Sequence, residues 1–158
     1  MDEYLNLLQT HQQEAPVNVV ELAFDLGIKV WKSDQLGSQI SGKLLKDRQH
    51  GGKSGFAIFV NAAHAETRQR FTIAHEIAHF MLHRDAIKDG IAEDVFHRSE
   101  LLSNKQEVEA NKLAANILMP FSLLSEVQKN YAVDDVEGLA KAFHVSTAAM
   151  SIRLGIQG

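Results

Sequence analysis

The chain has 158 residues, of which 45% are hydrophobic and 23% are charged; these values are typical of one globular domain and argue against wholesale disorder. Sixteen basic and 20 acidic residues give a formal net charge of -4, which argues against a general binder of nucleic acid or of membrane surfaces. The chain contains no cysteine, so disulfides, thiolate metal sites and cysteine nucleophiles are excluded.

The beginning of the chain gives no sign of export. Residues 1–10 lack a basic segment followed by an apolar run, so we expect no signal peptide. No stretch approaches the roughly 18 apolar residues that a membrane span needs. We therefore expect a cytoplasmic protein.

The first part of the chain predicts a helical segment followed by a small sheet. Residues 1–24 have a helical pattern that Pro16 interrupts and Gly27 ends. Three short β-favouring runs follow, at residues 28–31, 39–45 and 56–60. The polar stretch between the last two suits a hairpin turn around Gly51 and Gly52, although these glycines could also form a flexible lid.

The second part of the chain predicts helices. Residues 67–83 contain no glycine or proline and are apolar on most sides, which is typical of a buried helix. A long polar loop over residues 84–103 leads to a second helix at 105–119, which Pro120 ends. Two or three shorter helices fit residues 121–154. We predict a single α+β domain over residues 1–158, with an antiparallel or mixed sheet of about three strands packed on a helical bundle.

The buried helix carries the sequence His75-Glu76-Ile77-Ala78-His79, an HExxH pattern. His75 and His79 lie about 40° apart on one helical face, so both imidazoles can point at one divalent ion, and neutral imidazole suits zinc. Glu76 projects beside the metal, where a carboxylate can take a proton from a coordinated water. The alternative is a pair of ordinary core histidines. Burial counts against it, because ionisable side chains in an apolar helix need partners.

A catalytic zinc needs a third protein ligand and one open position. The metzincin pattern would require glycine at position 82 and histidine at position 85, where this chain has Leu82 and Asp85. The second helix offers two other candidates, Glu107 and Glu109. Helical geometry favours Glu107, which lies on the side of the apolar face, and leaves Glu109 as the alternative.

Several further side chains near these positions have candidate roles. Asn111, one turn after Glu107, is expected to accept a hydrogen bond from a histidine ring N–H. The alternative for Glu107 itself is a solvated charge near the start of the helix. We expect His83, one turn after His79, to lie behind the ligands or in the core, because a fourth protein ligand would close the site. His64, Arg70 and His97 could bind substrate, but surface or packing roles are favoured for all three.

Residues 137–154 resemble a helix-turn-helix, with Ser146 as the N-cap of the second helix. A helix that reads DNA should present cations and amides to base edges and phosphates. Arg153 is the only cation that the second helix offers. The pattern therefore favours packing against the rest of the domain over DNA reading.

At these residues the chain resembles the ImmA/IrrE-type metallopeptidases, a gluzincin-like family of bacteria and phages with a zincin-like fold. The resemblance departs from the family at Leu113, where relatives usually carry phenylalanine. It extends over residues 16–23, 26–28, 40–42, 58–61, 68–83, 107–120 and 139–154.

The resemblance implies a function as well as a fold. It implies His75, His79 and Glu107 as the ligands of one Zn²⁺ per chain and Glu76 as the catalytic base, and Mn²⁺ or Fe²⁺ also suits such ligands. Family members cleave helix-turn-helix transcriptional repressors that are often encoded beside them, in mobile elements or stress responses. We therefore expect a zinc-dependent endopeptidase that hydrolyses such a repressor or antitoxin, without direct contact with nucleic acid or membrane. A metal-binding module that sequesters the regulator and a DNA-binding regulator remain the alternatives.

Overall fold

A computed structural model describes residues 2–87, 104–131 and 135–156 of the chain. A short 3₁₀ turn, Arg84–Ala86, follows the third helix. The other elements, in chain order, are α1 (Asp2–His11), α2 (Val19–Asp25), β1 (Ile28–Ser33), β2 (Gly42–Lys46), β3 (Phe56–Asn61), α3 (Glu66–His83), α4 (Asn104–Leu118), α5 (Phe121–Tyr131), α6 (Val136–Phe143) and α7 (Thr147–Leu154).

The three strands form a mixed sheet in the order β1-β3-β2. Strand β1 runs parallel to β3, with Ile28 paired to Phe56, and β2 runs antiparallel to β3, with Leu44 paired to Ile58. The predicted small sheet and α+β class are confirmed. Strand β2 begins at Gly42, three residues later than the sequence pattern predicts, because residues 38 and 39 form a turn.

One face of the sheet packs directly on α3. The closest approach is at Gly42, where a Cβ atom would lie only 2.5 Å from Thr72 Cγ2 and 2.8 Å from the carbonyl oxygen of Phe59. Only a residue without a side chain fits between a strand and a helix at that separation. Sheet residues Ile28, Leu44, Ile58 and Val60 are almost fully buried in the same core.

Helix α3 is buried as its sequence predicts, and among the described elements it packs most extensively against α4. Alanines occupy the buried faces of both helices: Ala74 and Ala78 on α3, and Ala110 and Ala114 on α4. Small side chains allow two helix axes to approach closely, since the interaxial distance depends on the residues at the contact. Polar side chains that flank these alanines are thereby brought near each other.

The C-terminal helices are packed onto the rest of the chain. Leu139, Phe143 and Met150 are fully buried in the common core. His144 ends α6 in the left-handed conformation with φ 53°, and the hydroxyl of Ser146 accepts a hydrogen bond from Ala149 N at the start of α7. The predicted N-cap at Ser146 is confirmed.

Two connections bear on the sequence predictions. In the β2–β3 connection, Gly51 N donates to the carbonyl of Asp47, and Gly52 N donates to that of Phe56. These bonds fit the hairpin turn and not a free lid. Of the predicted loop over residues 84–103, the segment 88–103, with His97, lies outside the described residues. None of the described helices is long and apolar enough to cross a bilayer.

Arg70 joins three parts of the fold. Its guanidinium donates to the carbonyl oxygens of Val17, Phe143 and His144, at 2.9, 3.2 and 3.1 Å. Burial lowers the pKa of Arg70 below its usual value, and the nearby carboxylate of Glu66 opposes that shift. The favoured packing role therefore fits Arg70 better than a role in substrate binding.

Replacing Arg70 with alanine should leave those three carbonyl groups without their donor. We expect the Arg70→Ala variant to lose about 2 kcal/mol of unfolding free energy in a urea titration. Arg68→Ala is the matched control, since Arg68 makes one exposed hydrogen bond to Ser41 Oγ, and it should lose less than about 1 kcal/mol. Equal losses in the two variants would contradict the role given to Arg70.

Candidate metal site

The structure brings His75, His79 and Glu107 together where α3 packs on α4. His75 Nε2 lies 3.1 Å from His79 Nε2. One carboxylate oxygen of Glu107, Oε1, lies 3.3 Å from His75 Nε2, and the other, Oε2, lies 3.1 Å from His79 Nε2. Three potential ligand atoms from two separate helices thus converge on one point.

Helix geometry accounts for the convergence. His75 and His79 are one turn apart on α3, so their rings point the same way. Glu107 lies in the first turn of α4, on the side of the buried face formed by Ala110 and Ala114. This is the placement that helical periodicity predicts for Glu107.

The distances suit a divalent cation. Around a tetrahedral ion with ligand bonds of about 2.0–2.1 Å, neighbouring ligand atoms lie about 3.3 Å apart. The two Nε2 atoms are 3.1 Å apart, and each lies near a different oxygen of Glu107, at 3.3 Å for His75 and 3.1 Å for His79. Two imidazoles and one carboxylate are also a donor set that zinc accepts, so the residues present fit a metal.

Burial differs across the three side chains. The side chain of His79 is fully buried, whereas those of His75 and Glu107 are 14% and 29% exposed. The site is therefore closed behind His79 and reachable by solvent on the side of His75 and Glu107. A catalytic metal needs such an open side for water and substrate.

Glu76 lies in the buried part of α3 and is only 2% exposed. It is not one of the three converging side chains, and its position beside a bound metal stays a prediction. A carboxyl group this deeply buried is costly unless it has a specific interaction.

The alternative third ligand, Glu109, has a different neighbour. Its Oε1 lies 3.1 Å from His83 Nε2, and it does not belong to the group formed by His75, His79 and Glu107. The structure thus gives the two acidic residues of α4 different partners.

His83 is the side chain that lies behind a candidate ligand. Its ring is 6% exposed, and its Nδ1 lies 3.0 Å from His79 Nδ1. The structure does not bring Asn111 to the same place: that residue is exposed, and no hydrogen bond joins it to a described histidine. Asn111 is on the solvent side of α4, because the helix turns its Ala110 and Ala114 face to the core.

Other candidate residues are placed away from the three ligands. His64 Nε2 lies 3.2 Å from the carbonyl oxygen of Ser38. Arg153 donates from Nε to the carbonyl of Met119 at 2.8 Å, and its guanidinium stacks 3.8 Å from the ring centroid of Phe121. The cation of the second helix-turn-helix-like helix is therefore engaged within the chain.

Sequence reasoning missed the contact between His83 and Glu109. Two signals could have suggested it. His83 continues the four-residue spacing of His75 and His79, and Glu109 follows Glu107 by two residues. Neither signal specifies how α3 and α4 are rotated against each other, and that rotation decides which acid meets which histidine.

Comparison with known proteins places the chain among peptidase-like proteins. Residues 23–155 match a family model described as the IrrE N-terminal-like domain, a peptidase family. Over 96 residues the chain is 34% identical to the radiation response metalloprotease IrrE of Deinococcus radiodurans, a match that covers 58% of this chain and 28% of that protein.

Among solved structures, a Mycobacterium tuberculosis transcriptional regulator is similar to this chain with a TM-score of 0.64. The similarity covers 98% of this chain and 46% of that one at 17% sequence identity, so it shows a shared fold. The chain thus matches less than half the length of each of these two proteins.

Removing the carboxylate of Glu107 should abolish tight metal binding. We expect Glu107→Ala to weaken zinc affinity by more than about a hundredfold, since even changes to residues behind metal ligands commonly cost 10- to 100-fold. Competition with a chromophoric chelator measures the dissociation constant. Glu126→Gln, which removes an exposed carboxylate on α5, should keep the affinity of the unmodified chain. If Glu107→Ala binds zinc as tightly as that control, Glu107 is not a ligand.

Proposed function

We propose that this chain, which belongs to the family of peptidases described as IrrE N-terminal-like domains, is a zinc-dependent endopeptidase. In this proposal His75, His79 and Glu107 hold the metal, and Glu76 is the catalytic base. The observation that carries the proposal is that ligand atoms of His75, His79 and Glu107 all lie within 4.8 Å of one another. The two Nε2 atoms are 3.1 Å apart and each has a Glu107 oxygen within 3.3 Å, on a side that solvent can reach.

The residues have separate roles in peptide hydrolysis. When bound, the ion supplies Lewis-acid polarisation of the scissile carbonyl and a lowered pKa for a coordinated water. Glu76 accepts the proton of the attacking water and afterwards delivers it to the leaving nitrogen. Its burial keeps the carboxylate away from bulk solvent, where electrostatic interactions are weaker.

The charge of the ligand set supports this role. Two neutral imidazoles and one carboxylate carry a single negative charge, so a divalent ion keeps a net charge of +1. An ion held by these residues would stabilise the negative charge that develops on the carbonyl oxygen. Imidazole ligands favour zinc, and Mn²⁺ or Fe²⁺ is compatible with the same donors.

We propose a helix-turn-helix transcriptional repressor or antitoxin, encoded near this chain, as the substrate. Support for this choice is the resemblance of the residues around the HExxH motif and along α4 to the ImmA/IrrE-type peptidases. A substrate that controls transcription places the proposed activity in the cytoplasm. We expect no direct contact with nucleic acid, because Arg153, the cation of α7, is engaged with Met119 and Phe121.

The decisive variant is Glu76→Gln, which keeps the shape of the side chain and removes its basicity. We expect it to slow cleavage by at least about a hundredfold, the lower end of what general acid–base catalysis contributes, while zinc content stays near one ion per chain. The assay co-expresses the chain with the regulator from the neighbouring reading frame and follows its fragments on a gel.

Glu126→Gln again serves as the control and should cleave at the normal rate. A Glu76→Gln variant that cleaves as fast as this control would contradict the peptidase mechanism. A variant that cuts nothing yet still relieves repression fully would favour the sequestering module over the peptidase.

A further inference from the structure

We propose that Glu109 and His83 are positioning residues that fix the tautomer of His79 and so direct its Nε2 lone pair to the metal. The inference rests on the metal site of the proposed function and does not depend on peptide cleavage. It gives a role to Glu109, the acidic residue of α4 that is not among the proposed ligands.

The three side chains form a continuous line of short contacts that ends at the metal site. Glu109 Oε1 lies 3.1 Å from His83 Nε2. The other ring nitrogen of His83, Nδ1, lies 3.0 Å from His79 Nδ1. The opposite nitrogen of His79, Nε2, faces His75 and Glu107 at 3.1 Å each.

With Glu109 ionised and both imidazoles neutral, the chemistry of the groups fixes the direction of each hydrogen bond. An ionised carboxylate only accepts, so His83 Nε2 must carry a proton and donate it to Glu109. A neutral imidazole has one donor and one acceptor, and His83 Nδ1 is therefore the acceptor. His79 Nδ1 must then be the donor. Its remaining lone pair is on Nε2, the nitrogen that faces the site.

Because both rings are buried, these contacts determine which ring nitrogen carries the proton. The side chain of His79 is fully buried, and that of His83 is 6% exposed, so bulk water has little access to their ring nitrogens. The wrong tautomer would leave two ring N–H groups or two lone pairs facing each other, which is costly in a buried place. The side chain of Glu109 is 45% exposed and lies at the solvent end of the line.

The same series of contacts also connects α3 with α4. Glu109 and Glu107 both belong to α4, and the histidines that they meet belong to α3. One helix therefore supplies a ligand and, through His83, the orientation of a second ligand. Partners of this kind behind a metal-bound histidine raise its basicity and hold its ring.

The test begins with nitrogen NMR of the histidine rings in the zinc-loaded chain, in slightly alkaline buffer. We expect the proton of His79 at Nδ1 and that of His83 at Nε2. Glu109→Ala should remove the preference of His83 for the Nε2–H form. Glu109→Gln, whose amide oxygen can still accept a hydrogen bond, should restore most of that preference.

Zinc affinity provides the second readout. Glu109→Ala should raise the dissociation constant about tenfold, at the lower end of the range for such partners, and Glu109→Gln should raise it by less. Glu126→Gln should leave it unchanged. A purely structural role for Glu109 would alter stability without moving the ring tautomers.

The inference is overturned if His83 carries its proton at Nδ1. It is also overturned if the Glu109→Ala variant has the same ring tautomers and the same zinc dissociation constant as the unmodified chain. Failure of the proposed peptidase function would look different: the chain would bind the normal amount of zinc but would not cleave the regulator. A chain that holds no zinc at all would overturn both.

Discussion

The contact between α3 and α4 brings two imidazoles and a carboxylate together at a partly buried place. His79 is fully buried and has Glu107 within 3.1 Å, and the open side of the group lies at His75 and Glu107. Buried ionisable groups are costly without compensation, and a bound cation would compensate all three at once. The proposed chemistry follows from this one constraint, because a metal held by these three residues would be reachable by solvent on the side of His75 and Glu107.

The rest of the fold keeps this contact in place. Alanines on both helices allow α4 to approach α3, and Gly42 allows the sheet to approach α3 from another side. Arg70, on the same helix, binds carbonyl oxygens that precede α2 and end α6. The site helix is thus held by the sheet, by Arg70 and by α4, the helix that also supplies Glu107.

Much of this arrangement could be predicted from local patterns. The buried character of α3, the cap at Ser146 and the side of α4 on which Glu107 lies all follow from helical periodicity and capping rules. Other features depend on contacts between distant segments. The sequence pattern does not specify that β1 pairs in parallel with the later strand β3, or that Arg70 meets three carbonyls. Local spacing suggested both Asn111 and His83 as residues that could orient a ligand; the rotation of α4 against α3 leaves Asn111 exposed and places His83 against His79.

Anomalous X-ray scattering at the zinc edge, from crystals of the zinc-loaded chain, tests the central claim most directly. The account predicts one peak about 2.0–2.2 Å from each of His75 Nε2, His79 Nε2 and a carboxylate oxygen of Glu107. A peak coordinated by Glu109 in place of Glu107, or located away from both histidines, would contradict the proposed site and the mechanism built on it.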